Sequence, residues 1–233
     1  FCMEIVLIRH GQPEWMVDDI YQQNPHLSKL GSKQAQLSAS IFTEHSMDEI
    51  WVSPLNRAQE THQPFVERNV AKNVFIYDWL QEMEDDEEVA LYGKKTDEIL
   101  EFFAKRNTQS FEEWTQGSHG VYMKDYRQNI ISHLEVELKN RGIECTDDTY
   151  DRQFSIQDDS IEKLMIVSHA GTMSVLLSYF LNMEHYAWTW RKFLPRHAGH
   201  TRLRSTSIGN GHFFRLKEFN NVSFIERDEE QTY

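Results

Sequence analysis

The chain has 233 residues, 39% hydrophobic and 26% charged, with ten Gly and five Pro. That composition fits one large or two small globular domains and excludes a disordered or collagen-like chain. Twenty-four basic against thirty-seven acidic side chains give a formal charge of −13, which argues against a general nucleic-acid or anionic-membrane binder but leaves room for a local cluster that takes a small anion.

The first apolar run, Ile5-Val6-Leu7-Ile8, reads as a buried strand that ends at Arg9-His10-Gly11. Leu30, Leu37, Ile41 and Phe42 recur at near-helical spacing over 28–45. Ile50-Trp51-Val52 predicts a second strand, stopped by Ser53-Pro54, and 56–69 predicts a helix that Pro64 kinks or terminates. Val74-Phe75-Ile76-Tyr77 predicts a third strand. The acidic run at 82–88 reads as non-core. Helices follow at about 96–106 and 122–140, with Gly142 where a C-terminal cap would sit. Residues 143–162 are polar and loop-like. Leu164-Met165-Ile166-Val167 is the clearest buried strand; it runs into Ser168-His169-Ala170-Gly171 and an apolar helix at about 172–182. Gly209-Asn210-Gly211, between Ser207-Ile208 and Phe213-Phe214, predicts a hairpin.

Strands alternating with helices predict an α/β three-layer sandwich: a mostly parallel central sheet with helices on both faces. The expected organisation is a single domain over 1–233 with a helical, cap-like insertion at about 90–160. No apolar run approaches the ~18 residues of a membrane span; the run at 173–181 carries two serines. Cys2 and Cys145 form neither a disulfide framework nor a zinc pattern, and the first residues lack a signal peptide's basic and apolar regions. A cytoplasmic setting is expected.

Serine-hydrolase elbows, P-loops, HExxH zinc motifs and dinucleotide fingerprints are all missing. What remains is Arg9, His10, Arg57 and His169, each just after a strand. Ligands of open α/β sheets bind at the carboxyl ends of the strands. Arginine forks bind phosphate oxygens in bidentate fashion. One neutral imidazole can attack phosphorus, and a second can hydrogen-bond the phosphoryl oxygens. Such a set would stabilise phosphoryl transfer by positioning and electrostatics, without metal or cofactor.

Strand-R-H-G, the segment Ser53-Pro54-Leu55-x-Arg57-Ala58-x-x-Thr61 and the late Ser168-His169-Ala170-Gly171 resemble the histidine phosphatase superfamily, also called phosphoglycerate mutase-like. Leu27-Ser28-x-x-Gly31-x-x-Gln34-Ala35, Tyr126-Arg127 and Asn220-Asn221 are similar to further stretches of that pattern, in the same order. The resemblance implies a phosphohistidine formed on His10 and later hydrolysed, with Arg9, Arg57 and His169 around the phosphate. It also implies a carboxylate general acid after the third strand. Leu80-Gln81-Glu82 matches, with Glu84 and Asp85 as alternatives; acidic neighbours would raise this group's pKa and arginines would lower it. The sequence departs from the pattern at Pro13 and Met16, where many members carry Thr and Asn, at Ser205 and at Phe224. These departures count against a mutase, which must hold a second phosphate.

The basic stretch from Arg191 through Arg196 to Arg202 and Arg204 has two readings: a solvated loop balancing 82–88, or a substrate rim with Arg196 and Arg202 on the rest of an anionic substrate. Trp188 and Trp190 read as packing or base-stacking groups. The expected function is a metal-independent phosphomonoester phosphatase for a small phosphorylated metabolite, without nucleic-acid or membrane partners. A phosphomutase and a non-catalytic phospho-ligand binder are the alternatives.

Overall fold

The computed structural model describes residues 2–106, 108–184 and 192–233. The strands are β1 (Glu4–Arg9), β2 (Met47–Val52), β3 (Ala71–Ile76), β4 (Ile143–Asp147), β5 (Gln153–Ile156), β6 (Lys163–Ser168), β7 (His200–Ile208) and β8 (Gly211–Asn221). They form one eight-stranded sheet in the order β3-β2-β6-β1-β7-β8-β5-β4. The helices are α1 (Trp15–Asp18), α2 (Lys29–Ser40), α3 (Asn56–Glu67), α4 (Asp86–Val89), α5 (Thr96–Arg106), α6 (Phe111–Gln116), α7 (Ser118–Lys139) and α8 (Ala170–Phe180).

The sheet corrects the expectation of a mostly parallel arrangement. β3-β2, β2-β6 and β6-β1 pair in parallel, but the four junctions from β1 to β4 are antiparallel. The parallel half is built through α2 and α3, long connections that return the chain in the same direction. In the other half short turns reverse the chain at β4-β5 and β7-β8, whereas β1-β7 and β8-β5 pair strands distant in sequence. Gly209 adopts φ +61 in the hairpin between β7 and β8. The polar segment 143–162 contains β4 and β5 rather than loop alone. Only Ile143, Phe154 and Ile156 of these two strands are buried, so their hydrophobic alternation is too sparse to read as strand.

The alternation of β1 fixes how the two faces are filled. Met3, Ile5 and Leu7 join a core with Ile130, Leu134 and Leu138 of α7 and with Val175, Leu176 and Tyr179 of α8. Val6 and Ile8 join a second core with Ala39 of α2 and Ala58 and Phe65 of α3. Pro64 lies inside α3 without ending it. The acidic run is corrected too: Asp85 and Glu88 are buried. Arg106 of α5 binds Asp85 at 2.5 Å and Glu88 at 2.7 Å, and His119 of α7 lies 2.6 Å from Asp85. A carboxylate leaves water only when it is paired. Here the partners come from helices that follow later in the chain.

Candidate active site

Three neighbouring strands bring the strand-end motifs together. In the register, Arg9 stands opposite Ser168 and Val52 opposite Val167. The next residues, His10, His169 and Ser53, therefore lie side by side at the carboxyl ends of β1, β6 and β2. Backbone bonds continue the ladder there: His10 N donates to Ser168 O at 2.9 Å and Ser53 N to Val167 O at 3.1 Å.

The His10 and His169 rings lie 5.1 Å apart. His10 Nδ1 is 2.7 Å from the Gly11 carbonyl. A carbonyl only accepts, so Nδ1 carries the proton and Nε2 keeps its lone pair. Arg57 Nε lies 3.3 Å from that Nε2. Burial, then Arg57 and Arg9, hold the His10 imidazole well below its ordinary pKa, so it is neutral at pH 7. The same influences, with His10 added, hold His169 down. Ser53 Oγ bonds His169 Nε2 at 2.7 Å and orients the ring.

Arg9 anchors one end of its fork on Pro195 O at 2.7 Å. Burial draws its pKa down to about 10, against the pull of Glu82; Arg57 is lowered by burial as well. Glu82 caps the start of α8: Oε2 accepts from Gly171 N at 3.3 Å and Oε1 from Met83 N at 3.0 Å. Burial raises its pKa, with Arg57 opposing. The acidic neighbours anticipated from sequence are not the cause. A Cβ on Gly171 would lie 2.4 Å from Glu82 Oε1, so only glycine lets the carboxylate approach so closely. Of the alternatives, Asp85 is held by Arg106 and His119. Glu84 lies with its backbone N bonded to Tyr122 Oη at 2.7 Å.

The remaining motif residues lock the loop that carries His10. Thr61 Oγ1 accepts from Gly11 N at 2.9 Å and donates to Arg57 O at 2.6 Å. Gln34 Oε1 accepts from Gln12 N at 2.9 Å. Ser28 donates to Gln12 Oε1 at 2.8 Å and caps α2 by accepting from Gly31 N at 3.0 Å. Gly11 and Gly31 meet backbone to backbone: a Cβ on Gly11 would fall 2.5 Å from Gly31 O, and one on Gly31 would fall 2.1 Å from Gln12 O. Asn220 Oδ1 accepts from Arg196 N at 2.7 Å. Tyr126 Oη donates to Gln81 O at 2.7 Å and ties α7 to the Glu82 segment.

The basic rim is not assembled. Arg202 stands opposite Val6 in the register and binds Glu4 at 2.9 Å and Glu218 at 3.3 Å, so its charge is spent within the sheet. Arg196 bonds Gln231 and lies over the Tyr233 ring at 5.0 Å. Trp188, Trp190 and Arg191 lie outside the described residues. Sequence reading missed His197: it is fully buried and its ring is 5.6 Å from that of His10.

An α/β sheet with arginines and imidazoles gathered where parallel strands end belongs to the class of proteins that hold their ligands at that edge. The histidine phosphatase superfamily (branch 1) matches residues 5–221; the chain belongs to this family. It is 23% identical over 235 residues to a Schizosaccharomyces pombe protein named as a probable phosphatase, covering 97% of each. It is 29% identical over 122 residues to phosphoserine phosphatase 1 of Hydrogenobacter thermophilus, a match spanning 51% of this chain and 54% of that one. Among solved structures, the Entamoeba histolytica phosphoserine phosphatase in complex with 3-phosphoglyceric acid shares the fold. Its TM-score is 0.65 at 20% identity, covering 96% of this chain and 99% of that one. The named relatives are phosphatases, in agreement with a phosphoric monoester hydrolase. No described helix is long and apolar enough to cross a membrane.

Proposed function

We propose that the chain is a metal-independent phosphomonoester phosphatase that works through a phosphohistidine on His10 and acts on a small phosphorylated metabolite. One observation carries this reading. In the residues next to His10, Arg9 Nε, Arg57 Nη1 and His169 Nδ1 are all buried and all without a hydrogen-bond partner. Buried donors without acceptors are costly, and an anionic phosphoryl group supplies acceptors for all of them.

In the proposed reaction, His10 Nε2 attacks phosphorus, and the bond from phosphorus to the ester oxygen breaks. Glu82 gives its proton to that oxygen, and the alcohol leaves. Ionised Glu82 then takes a proton from water as the water oxygen attacks the phosphohistidine. Phosphate is released and His10 is regenerated. Arg9 and Arg57 supply the positive charge that the transferring group needs. The raised pKa of Glu82 suits a group that must donate a proton near neutrality. A mutase needs cations for a second phosphate, and the pairing of Arg202 with Glu4 and Glu218 favours hydrolysis.

We infer a single domain in three layers from the two cores on opposite sides of β1; within the stretch 90–160, α7 lines one of these cores, β4 and β5 join the sheet, and Tyr126 ties α7 to the segment after β3. A cytoplasmic setting fits the free Cys2 and Cys145. The test is phosphate release from p-nitrophenyl phosphate and a phosphometabolite panel in EDTA, for wild type and His10→Ala. The expected result is activity that survives chelation and falls by at least roughly 10³-fold in the variant. Equal rates for the two proteins would overturn the nucleophile assignment.

A further inference from the structure

We propose that His197 is a third imidazole of the phosphoryl pocket, donating from Nε2 to a phosphoryl oxygen, and that the Thr232 hydroxyl is its positioning partner. This rests on the phosphatase reading above and adds to it a contact that the strand-end motifs do not contain.

The segment before β7 is fastened to the nucleophile's own backbone. Pro195 O accepts from Arg9 Nη1 at 2.7 Å. Ala198 N lies 3.0 Å from Arg9 O and 3.2 Å from His10 O. Arg9 N reaches Gly199 O at 3.4 Å. His197 is thus held between two points fixed to Arg9 and His10. Ala198 takes φ +58 to make this possible, a left-handed conformation that alanine seldom adopts.

Thr232 grips His197 twice, through its carbonyl to the backbone N at 2.9 Å and through Oγ1 to ring Nδ1 at 2.9 Å. Gln34 Nε2 donates to Thr232 Oγ1 at 3.0 Å, and the other end of the Gln34 amide holds Gln12 N at 2.9 Å. With Gln34 donating to the hydroxyl oxygen, the hydroxyl proton is available to His197 Nδ1. With the hydroxyl donating to Nδ1, the ring proton resides on Nε2, the tautomer opposite to that of His10. Nε2 is buried and has no partner, and its ring lies 5.6 Å from the nucleophile's ring. Burial keeps the ring neutral, so His197 offers a donor without adding charge beside Arg9.

Side chains of graded reach test this. Gln places an amide about where Nε2 lies, whereas Asn reaches only to the Nδ1 position; Phe keeps the ring and removes both nitrogens. His197→Phe, His197→Asn and His197→Gln are compared with wild type for kcat, KM and the inhibition constant of inorganic phosphate, with circular dichroism to report folding. Removing one pre-positioned donor should lower kcat by roughly 10²-fold. Weaker phosphate inhibition is expected in the Phe and Asn variants, with recovery of most of both in the Gln variant. Thr232→Val should lower kcat by roughly tenfold with KM little changed, and Thr232→Ser should restore it. A His197→Phe protein that matches wild type in kcat and phosphate inhibition would overturn the proposal, as would equal behaviour of the Asn and Gln variants. Wild type that is active, with His10→Ala inactive and His197→Phe normal, removes His197 alone; wild type that neither hydrolyses esters nor binds phosphate removes the phosphatase reading with it.

Discussion

Arg57 of α3 and Arg106 of α5 are equally hidden, at 9% and 8% exposed, yet they keep different company. Arg106 meets Asp85, Glu87 and Glu88, and His119 completes the group. Arg57 meets a neutral histidine, with Arg9 near by and its Nη1 unpartnered. Both groups carry a buried charge. The first is balanced within the protein and ties α4, α5 and α7 together. The second is left short of acceptors at the edge where parallel strands end. The difference separates scaffold from site: a buried cation paired with carboxylates holds elements in place, and one without such a pair is poised for an anion from outside.

Four substitutions break or sharpen that contrast. The largest effect is expected from Arg106→Met, which strands Asp85 and Glu88 without their cation. It should cost about 3–5 kcal/mol in urea unfolding while a folded remnant keeps its phosphate affinity. An unchanged unfolding midpoint would mean that the cluster is not the brace described above. Glu82→Gln should lower kcat by roughly 10²–10⁴-fold on alkyl phosphates and by less on p-nitrophenyl phosphate, whose leaving group needs no proton. The acid must be protonated, and burial raises its pKa, so wild-type turnover should fall as pH rises through that value; in the Gln variant this limb should vanish from the pH–rate profile. Gly171→Ala sets a methyl 2.3 Å from Met83 Cε and 2.4 Å from Glu82 Oε1. Displacement of the carboxylate should reduce kcat by up to roughly 10²-fold with a smaller change in KM. Ser53→Ala removes one neutral bond to His169 and should cost about 1 kcal/mol of transition-state stabilisation, read as kcat/KM.

Arg9-His10-Gly11 and Ser168-His169-Ala170-Gly171 were legible as a pair because each closes an apolar run, and parallel neighbours align their carboxyl ends. Glu82 was singled out only through the resemblance of Leu80-Gln81-Glu82 to the family's pattern. Asp85 and Glu88 were not legible as buried, because a run of like charge reads as solvated until its cation is placed, and Arg106 lies 21 residues beyond Asp85. β4 and β5 were hidden by polarity, since an outer hairpin buries few of its side chains. His197 was absorbed into a stretch read for its net charge. Its place beside His10 depends on two long-range facts, the antiparallel pairing of β7 with β1 and the contact with Thr232, and neither leaves a local pattern. Arg202 misled for the same reason: Glu4 and Glu218, its partners, are distant in sequence.

The contact between Gly11 and Gly31 has a kinetic consequence. The loop bearing His10 is seated main chain on main chain, with no side chain between the two surfaces whose rotation could let it shift. Thr61 and Gln34 then take up its N–H groups. A nucleophile on a loose loop must surrender conformational freedom each time it meets its substrate, and that entropy adds to the barrier. Here the freedom is given up when the chain folds, so in the proposed reaction His10 enters each cycle already aimed.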